Sequence, residues 1–338
     1  MIDFRYHLVS IIAVFLALAI GLAIGANLLP EATEAALKKA ANTVTGQNKS
    51  LSQQVKNLQQ QDSANQNFAQ AAAGRLLGHL LTGQRVVLVT APNSDGQVVS
   101  GVTAAVQQAG GSVTGQVALQ PQFFDSSDAT QSKLNQLAQS LAPDAGVSLD
   151  GPRSGDAVAG QEQAARVISA AIVSKDGIGL TPTQDQAVLG GFGQGGYLQI
   201  SHQPSGSTGT LASATLAIVV APSAPPAASN SSPANLALIA VAEQLKAGSE
   251  GTVLVASLQG SGPGSVISAV AGQGKVSTVD DADKPVGEII TVQALWELLN
   301  GHAPTSYGVG PGSAPSPAPT PSVSPTSTAT THPAKKKT

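Results

Sequence analysis

Between Leu8 and Leu29 the chain carries no ionisable side chain. At about 1.5 Å of rise per residue, a helix of that length spans roughly 33 Å, enough to cross the hydrocarbon core of a bilayer. The apolar region of a cleaved secretory signal is usually only about 7–15 residues long, so the length favours a segment that stays as an anchor. Ala23 and Gly25 form an A-x-G arrangement suited to cleavage, and removal of the segment after export is the alternative. Arg5 is the strong cation ahead of the run, and Glu31 and Glu34 follow it. The positive-inside bias then puts the N-terminus in the cytoplasm and the bulk of the chain outside the cell membrane.

No second apolar stretch approaches that length, so a transport path built from the chain's own helices is excluded. The 338 residues leave room for one or two folded domains. Aromatic residues are 3% of the chain and charged residues 11%, which points to a closely packed α/β domain rich in small residues. Cys is absent, so neither disulfides nor a thiolate nucleophile or soft-metal ligand is available. The net charge of −3, with scattered cations, lacks a nucleic-acid footprint, and no nucleic-acid partner is expected.

Four regions follow. Residues 1–30 are the anchor or an uncleaved signal. Residues 31–80 form a helical stalk starting at Pro30, where Leu37, Val44, Leu51 and Leu58 recur every heptad beside Ala41, Val55 and Ala69. Such a seam suits a coiled coil and a homo-oligomer, although Asn48 and Asp62 also fall on it. An amphipathic stalk lying on its own globular domain is the alternative.

Residues 81–302 alternate short apolar runs with helical ones, the pattern of a Rossmann-like, mostly parallel sheet covered by helices. "RVVLVTAP", "SGVTAAVQQAGG" and "SVTGQVAL" make one βαβ unit. "TLAIVVAP", "GTVLVASL" and "KVSTVDD" read as further strands, and "VGEIITVQALWELLNG" as a closing helix with Trp296 on its apolar face beside Val292, Leu295 and Leu299. One sheet or two subdomains, with a boundary near 150–210, are both open. Residues 303–338 become rich in Pro, Ser and Thr beyond Tyr307 and read as a disordered tail that spaces the domain or reaches an envelope polymer.

Local motifs offer little chemistry. "GFGQGG" from Gly191 to Gly196 matches G-x-G-x-x-G, but a helical run precedes it and a strand follows, the reverse of a dinucleotide loop, so it reads as a glycine turn. "LVASLQGSGPGSVISAV" has the right order with Gly260, Gly262 and Gly264, yet no basic residue lies within it; a tight turn is expected. Asp280, Asp281 and Asp283, near Glu288, are oxygen ligands suited to a hard cation, or partners of a helix N-terminus. His7, His79, His202, His302 and His332 stand apart, and no G-x-S-x-G elbow is present, so no catalytic machinery and no resident cofactor are expected.

The order of parts resembles the actinobacterial copper-transport protein family of the MctB type. The resemblance runs from about residue 1 to 308 and rests on "FRYHLVSIIAVFLALAIGLAIG", "VVLVTAP…AGGSVTG", "VSTVDDADKPVGEIITVQALWELLNG" and "TSYG". It implies a role in copper homeostasis that lowers copper inside the cell, with copper as the transported or sensed ion. It also implies an outer-membrane pore, and therefore export to the outer envelope. Two readings follow: a membrane-anchored envelope protein of copper homeostasis, working in efflux as an oligomer or beside a transporter, as the resemblance implies, or a non-transporting anchored scaffold or ligand- or partner-binding module. Soft Cu(I) prefers sulfur ligands, and Met1 is the sole thioether. A membrane barrel would need many alternating strands with aromatic girdles, which this composition does not show.

Overall fold

The computed structural model of the 338-residue chain describes residues 4–149, 157–201, 211–224 and 229–317. Two compact units divide at Asn65 and Gln66. Helix α1 (Phe4–Leu77) runs through the first and ends in the second. Helix continues through Pro30, where a separate stalk helix was expected to start. A proline there forfeits one hydrogen bond to the carbonyl four residues back, which helix-favouring neighbours on both sides outweigh.

Within the first unit, Tyr6–Gly25 is long and apolar enough to cross a membrane. Further along, Leu37, Val44, Leu51 and Leu58 are 54–66% exposed, so the heptad seam lies open in this chain.

In the second unit, the last turns of α1 bury Ala69, Ala73 and Leu77 in the domain core. Ala69 therefore packs inside the α/β domain, a correction to its place on the stalk seam; an alanine at heptad spacing looks the same in either setting.

The strands are β1 (Arg85–Thr90), β2 (Ser112–Leu119), β3 (Leu198–Ser201), β4 (Leu216–Val220), β5 (Gly251–Val255), β6 (Ser277–Val279) and β7 (Ser306–Tyr307). Among the described residues they form one seven-stranded sheet in the order β3-β2-β1-β4-β5-β6-β7, which decides for one sheet over two subdomains. Only the β2–β3 pairing is antiparallel. Strands β1, β4 and β5 read as unbroken apolar runs because helices cover both of their faces. Ser306–Tyr307, assigned above to the tail, completes the sheet edge.

The helices are α2 (Gly96–Gln108), α3 (Asp128–Leu141), α4 (Ala159–Ile172), α5 (Pro182–Gln194), α6 (Pro233–Gly248), α7 (Val266–Val270) and α8 (Pro285–Leu299). Their starts are written locally. Asp95, Ser127, Ser232 and Ser265 cap α2, α3, α6 and α7 with side-chain oxygens, and Thr181 and Gln184 form a capping box at α5. Helices α3 to α7 pack on one face over Val87, Val89, Ala217 and Val219. The end of α1, with α2 and α8, packs on the other over Val86, Leu88, Ile218 and Val253. Helix α8 buries Val292 and Leu295 fully and leaves Trp296 half-buried at the margin.

Candidate functional site

The order of the sheet reverses between β1 and β4, and in such folds ligands bind beyond the carboxyl ends of the strands at that point. Two groups of side chains lie at this end of the sheet: an acidic loop after β6 and a groove beside α2.

In the acidic loop Asp280 and Asp283 each have their own structural partners. Asp280, 2% exposed, accepts from the backbone N–H groups of Val309 (2.8 Å) and Gly310 (2.9 Å) and from the Ser313 hydroxyl (3.0 Å). It thereby pins the segment after β7 to the end of β6. Gly308 makes this possible: its φ of +127° is open to glycine, and a Cβ there would stand 1.9 Å from Asp280 Oδ1.

Asp283 Oδ1 accepts from Leu258 N–H (2.9 Å) and its other oxygen lies 3.9 Å from Lys284 Nζ. Asp281 is buried with Oδ1 unpaired. Burial, then the charges of Asp280 and Asp283, push its carboxyl up to about 6. Glu288, against Gly101 of α2, is raised in the same way by burial and by Asp283. Among the described residues no group of three His, Asp or Glu side chains is placed to hold a metal ion. The fold brings Asp280, Asp281 and Asp283 to one loop, turns Asp280 and Asp283 to separate partners and buries Asp281 between them.

The groove is a different environment. About 1050 Å³ lies between α2 and the β1–β2 surface, lined by Leu88, Thr90, Asn93, Val99, Ser100, Thr103, Gln107, Gly115, Gln116, Ala118 and Gln120 among others. Every one of these is uncharged. Gln116 Nε2 donates to Thr90 Oγ1 (3.2 Å) across the floor, and Gln120 Nε2 to Ala118 O (3.2 Å) at one end. The groove exists for two reasons. Helices α3, α4 and α5, which separate β2 from β3 in the chain, are all on the opposite face, so on this face α2 packs beside β2 near Val113 and leaves Gln116 and Ala118 half-buried. In addition, the β1–β2 register slips between Val86 and Val87, opposite Gly115, whose missing side chain deepens the floor.

The switch point itself is stitched closed. Ser94 Oγ lies within hydrogen-bonding distance of Ala91 O (2.7 Å) and Val220 O (2.9 Å), and Ser223 N donates to Asn93 O (2.8 Å), so the ends of β1 and β4 are tied together. Asp95 Oδ1 accepts from Gln97 N (2.8 Å), which places the chain's own carboxylate where an anion would meet the start of α2.

Sequence reasoning missed the groove. An isolated glycine inside the strand "SVTGQVAL" was the available signal, since such a residue marks a bulge or a close approach. It also missed Asp185 of α5, buried, with Oδ2 accepting from Leu211 N (3.1 Å), Oδ1 unpaired, and its carboxyl pushed by burial to about 6. The glycine motifs behave as turns and contacts. Gly191 and Gly193 lie within the last turns of helix α5 rather than in a glycine turn, and Gly191 lets the helix approach α3, since a Cβ there would stand 2.8 Å from Leu141 Cδ1. Gly260 packs on the backbone of Pro222, 2.4 Å from where a Cβ would be, which leaves its loop a tight connection. His202 and His332 lie outside the described residues.

These features define a protein with an α/β head on a doubly wound sheet, continuous with a long helix whose first part is apolar enough to span a bilayer. The family described as "Copper transport outer membrane protein, MctB" matches residues 1–318, and the chain belongs to that family. It is 32% identical over 322 residues to the copper transporter MctB of Mycobacterium bovis, covering 93% of this chain and 98% of that one. The Mycobacterium tuberculosis protein of the same name matches equally, and that of Mycobacterium leprae is 29% identical over 325 residues, again 93% of this chain and 98% of the other.

Proposed function

We propose that this chain is an envelope component of copper homeostasis, anchored by Tyr6–Gly25 with its head outside the cytoplasm, and that it acts in lowering cellular copper. The extent of the family match carries this reading, since it covers anchor, stalk and head together. The chemistry of the chain bears on how it would do so. With Cys absent and Met1 the sole thioether, it lacks the soft ligands that hold Cu(I). Among the described residues its sheet is mostly parallel, does not close on itself and is flanked by helices, unlike the closed antiparallel wall of a membrane barrel. Copper would therefore pass through a partner transporter or an assembly of subunits, and the head would catalyse no reaction. The open stalk seam supports a homo-oligomer. Deleting the gene tests the reading. Increased copper sensitivity with raised cellular copper, restored by the full chain, is expected; unchanged copper content and tolerance would refute it.

A second reading, an anchored binding module or scaffold, is favoured by the uncharged groove beside α2. It expects an envelope defect on deletion that is independent of metal and is not relieved by a copper chelator.

A further inference from the structure

The groove beside α2, at about 1050 Å³, lies just above the usual range of small-ligand sites, about 300–1,000 Å³. Its floor combines apolar Leu88 and Ala118 with the Gln116–Thr90 hydrogen bond, and the facing wall of α2 carries the hydroxyls of Ser100 and Thr103. Charge decides what it fits. A phosphate or carboxylate would meet no cation there and would find Asp95 already at the start of α2. A cationic ligand would find no carboxylate in the lining, and burying either charge without a partner is expensive. The dinucleotide position between β1 and β4 is occupied by the Ser94 and Asn93 hydrogen bonds. A sugar ring matches what remains, because its C–H faces suit the apolar part of the floor while its hydroxyls both donate to and accept from side-chain hydroxyls and amides.

We propose that this groove binds an uncharged saccharide, a short oligosaccharide or the exposed end of a neutral glycan. The proposal rests on the binding-module reading, and it is independent of copper. The ligand class follows from the neutral lining, not from the apolar area alone.

The test uses the full chain in a polyoxyethylene detergent, which has no sugar head group. Calorimetric titration is run with neutral trisaccharides of glucose, mannose, galactose and arabinose, with a phosphorylated and a uronic-acid counterpart, and with NAD. Binding of at least one neutral trisaccharide with a Kd of about 1 mM or tighter is expected, and binding weaker by about tenfold or more for its charged counterpart. Ser100→Phe, on the exposed side of α2, fills the groove and should weaken binding by about tenfold or more, while Ser132→Phe on α3 should leave it unchanged. Both variants should keep the wild-type urea midpoint by Trp296 fluorescence. If Ser100→Phe does not fold, Gln107→Phe on the same helix takes its place. No binding of any neutral trisaccharide overturns the proposal, as does binding indifferent to the groove variants. Groove-dependent binding of a charged ligand instead would overturn the saccharide assignment and leave the binding-module reading standing. That reading is judged separately by the metal-independent envelope defect.

Discussion

Asp281 is ionised at neutral pH only against its surroundings, so removing its charge should stabilise the head. Burial and the neighbouring Asp280 and Asp283 raise its carboxyl to about 6, some two units above an ordinary aspartate. At about 1.4 kcal/mol per unit, the ionised group costs the folded state about 3 kcal/mol above pH 7. The direction follows from proton counting. Between about pH 4 and pH 6 the unfolded chain has already lost this proton and the folded chain retains it, so stability falls as pH rises through that window and then levels off.

Asp281→Asn abolishes this contribution but keeps an amide in a place with an unpaired oxygen, so the net gain at about pH 7.5 should be about 1–3 kcal/mol. The gain should shrink as pH falls toward about 4 and vanish below about pH 3, where Asp281 is protonated in both states. Trp296, the single tryptophan, sits in α8 and reports the head alone during urea unfolding of the full chain in micelles. Equal or lower stability of the variant at neutral pH would refute the reasoning, and so would a difference that does not change between the two pH values. Asp185, raised to about 6 by its own burial, leaves a residual slope of the same sign in the variant. Only Asp185→Asn combined with Asp281→Asn should flatten most of the profile.

Four further outcomes are expected. Asp280→Ala leaves the Val309 and Gly310 N–H groups and the Ser313 hydroxyl without their acceptor, and should destabilise by about 2–4 kcal/mol and open the segment after Tyr307 to limited proteolysis. Gly308→Ala forces a Cβ into the Asp280 carboxylate at a positive φ, and its urea midpoint should fall at least as far. Phe192→Ala empties a fully buried site in the larger core and should cost about 3–5 kcal/mol by the same fluorescence measurement. Leu51→Asp on the open seam should lower self-association in sedimentation velocity without moving the Trp296 transition; an unchanged mass distribution would remove the stalk from the assembly.

Much of the head was legible because its strands are buried on both faces. "RVVLVT", "LAIVV" and "GTVLV" announce themselves as apolar runs flanked by turn residues, and capping residues mark most helix starts within one position. The short strand Ser306–Tyr307 was hidden for the opposite reason. Two residues carry no periodicity, and what holds them is their pairing with Thr278 and Val279 and the clamp from Asp280, contacts that lie some thirty positions apart. The acidic loop was visible as composition and misleading as chemistry, because sequence spacing does not report which way each carboxylate turns.

By itself, then, the sequence determined the apolar N-terminal span, the heptad seam, the parallel α/β class and the absence of cysteine, all properties set by residue type and short-range period. Only tertiary structure decided that the sheet is single, that Ala69 belongs to its core, that Asp280 is a clamp and Asp281 a buried acid without a partner for Oδ1, and that a groove opens between α2 and the β1–β2 surface. Those outcomes depend on which face each connecting helix takes and on which distant backbone groups meet a given side chain, and neither is encoded in local pattern.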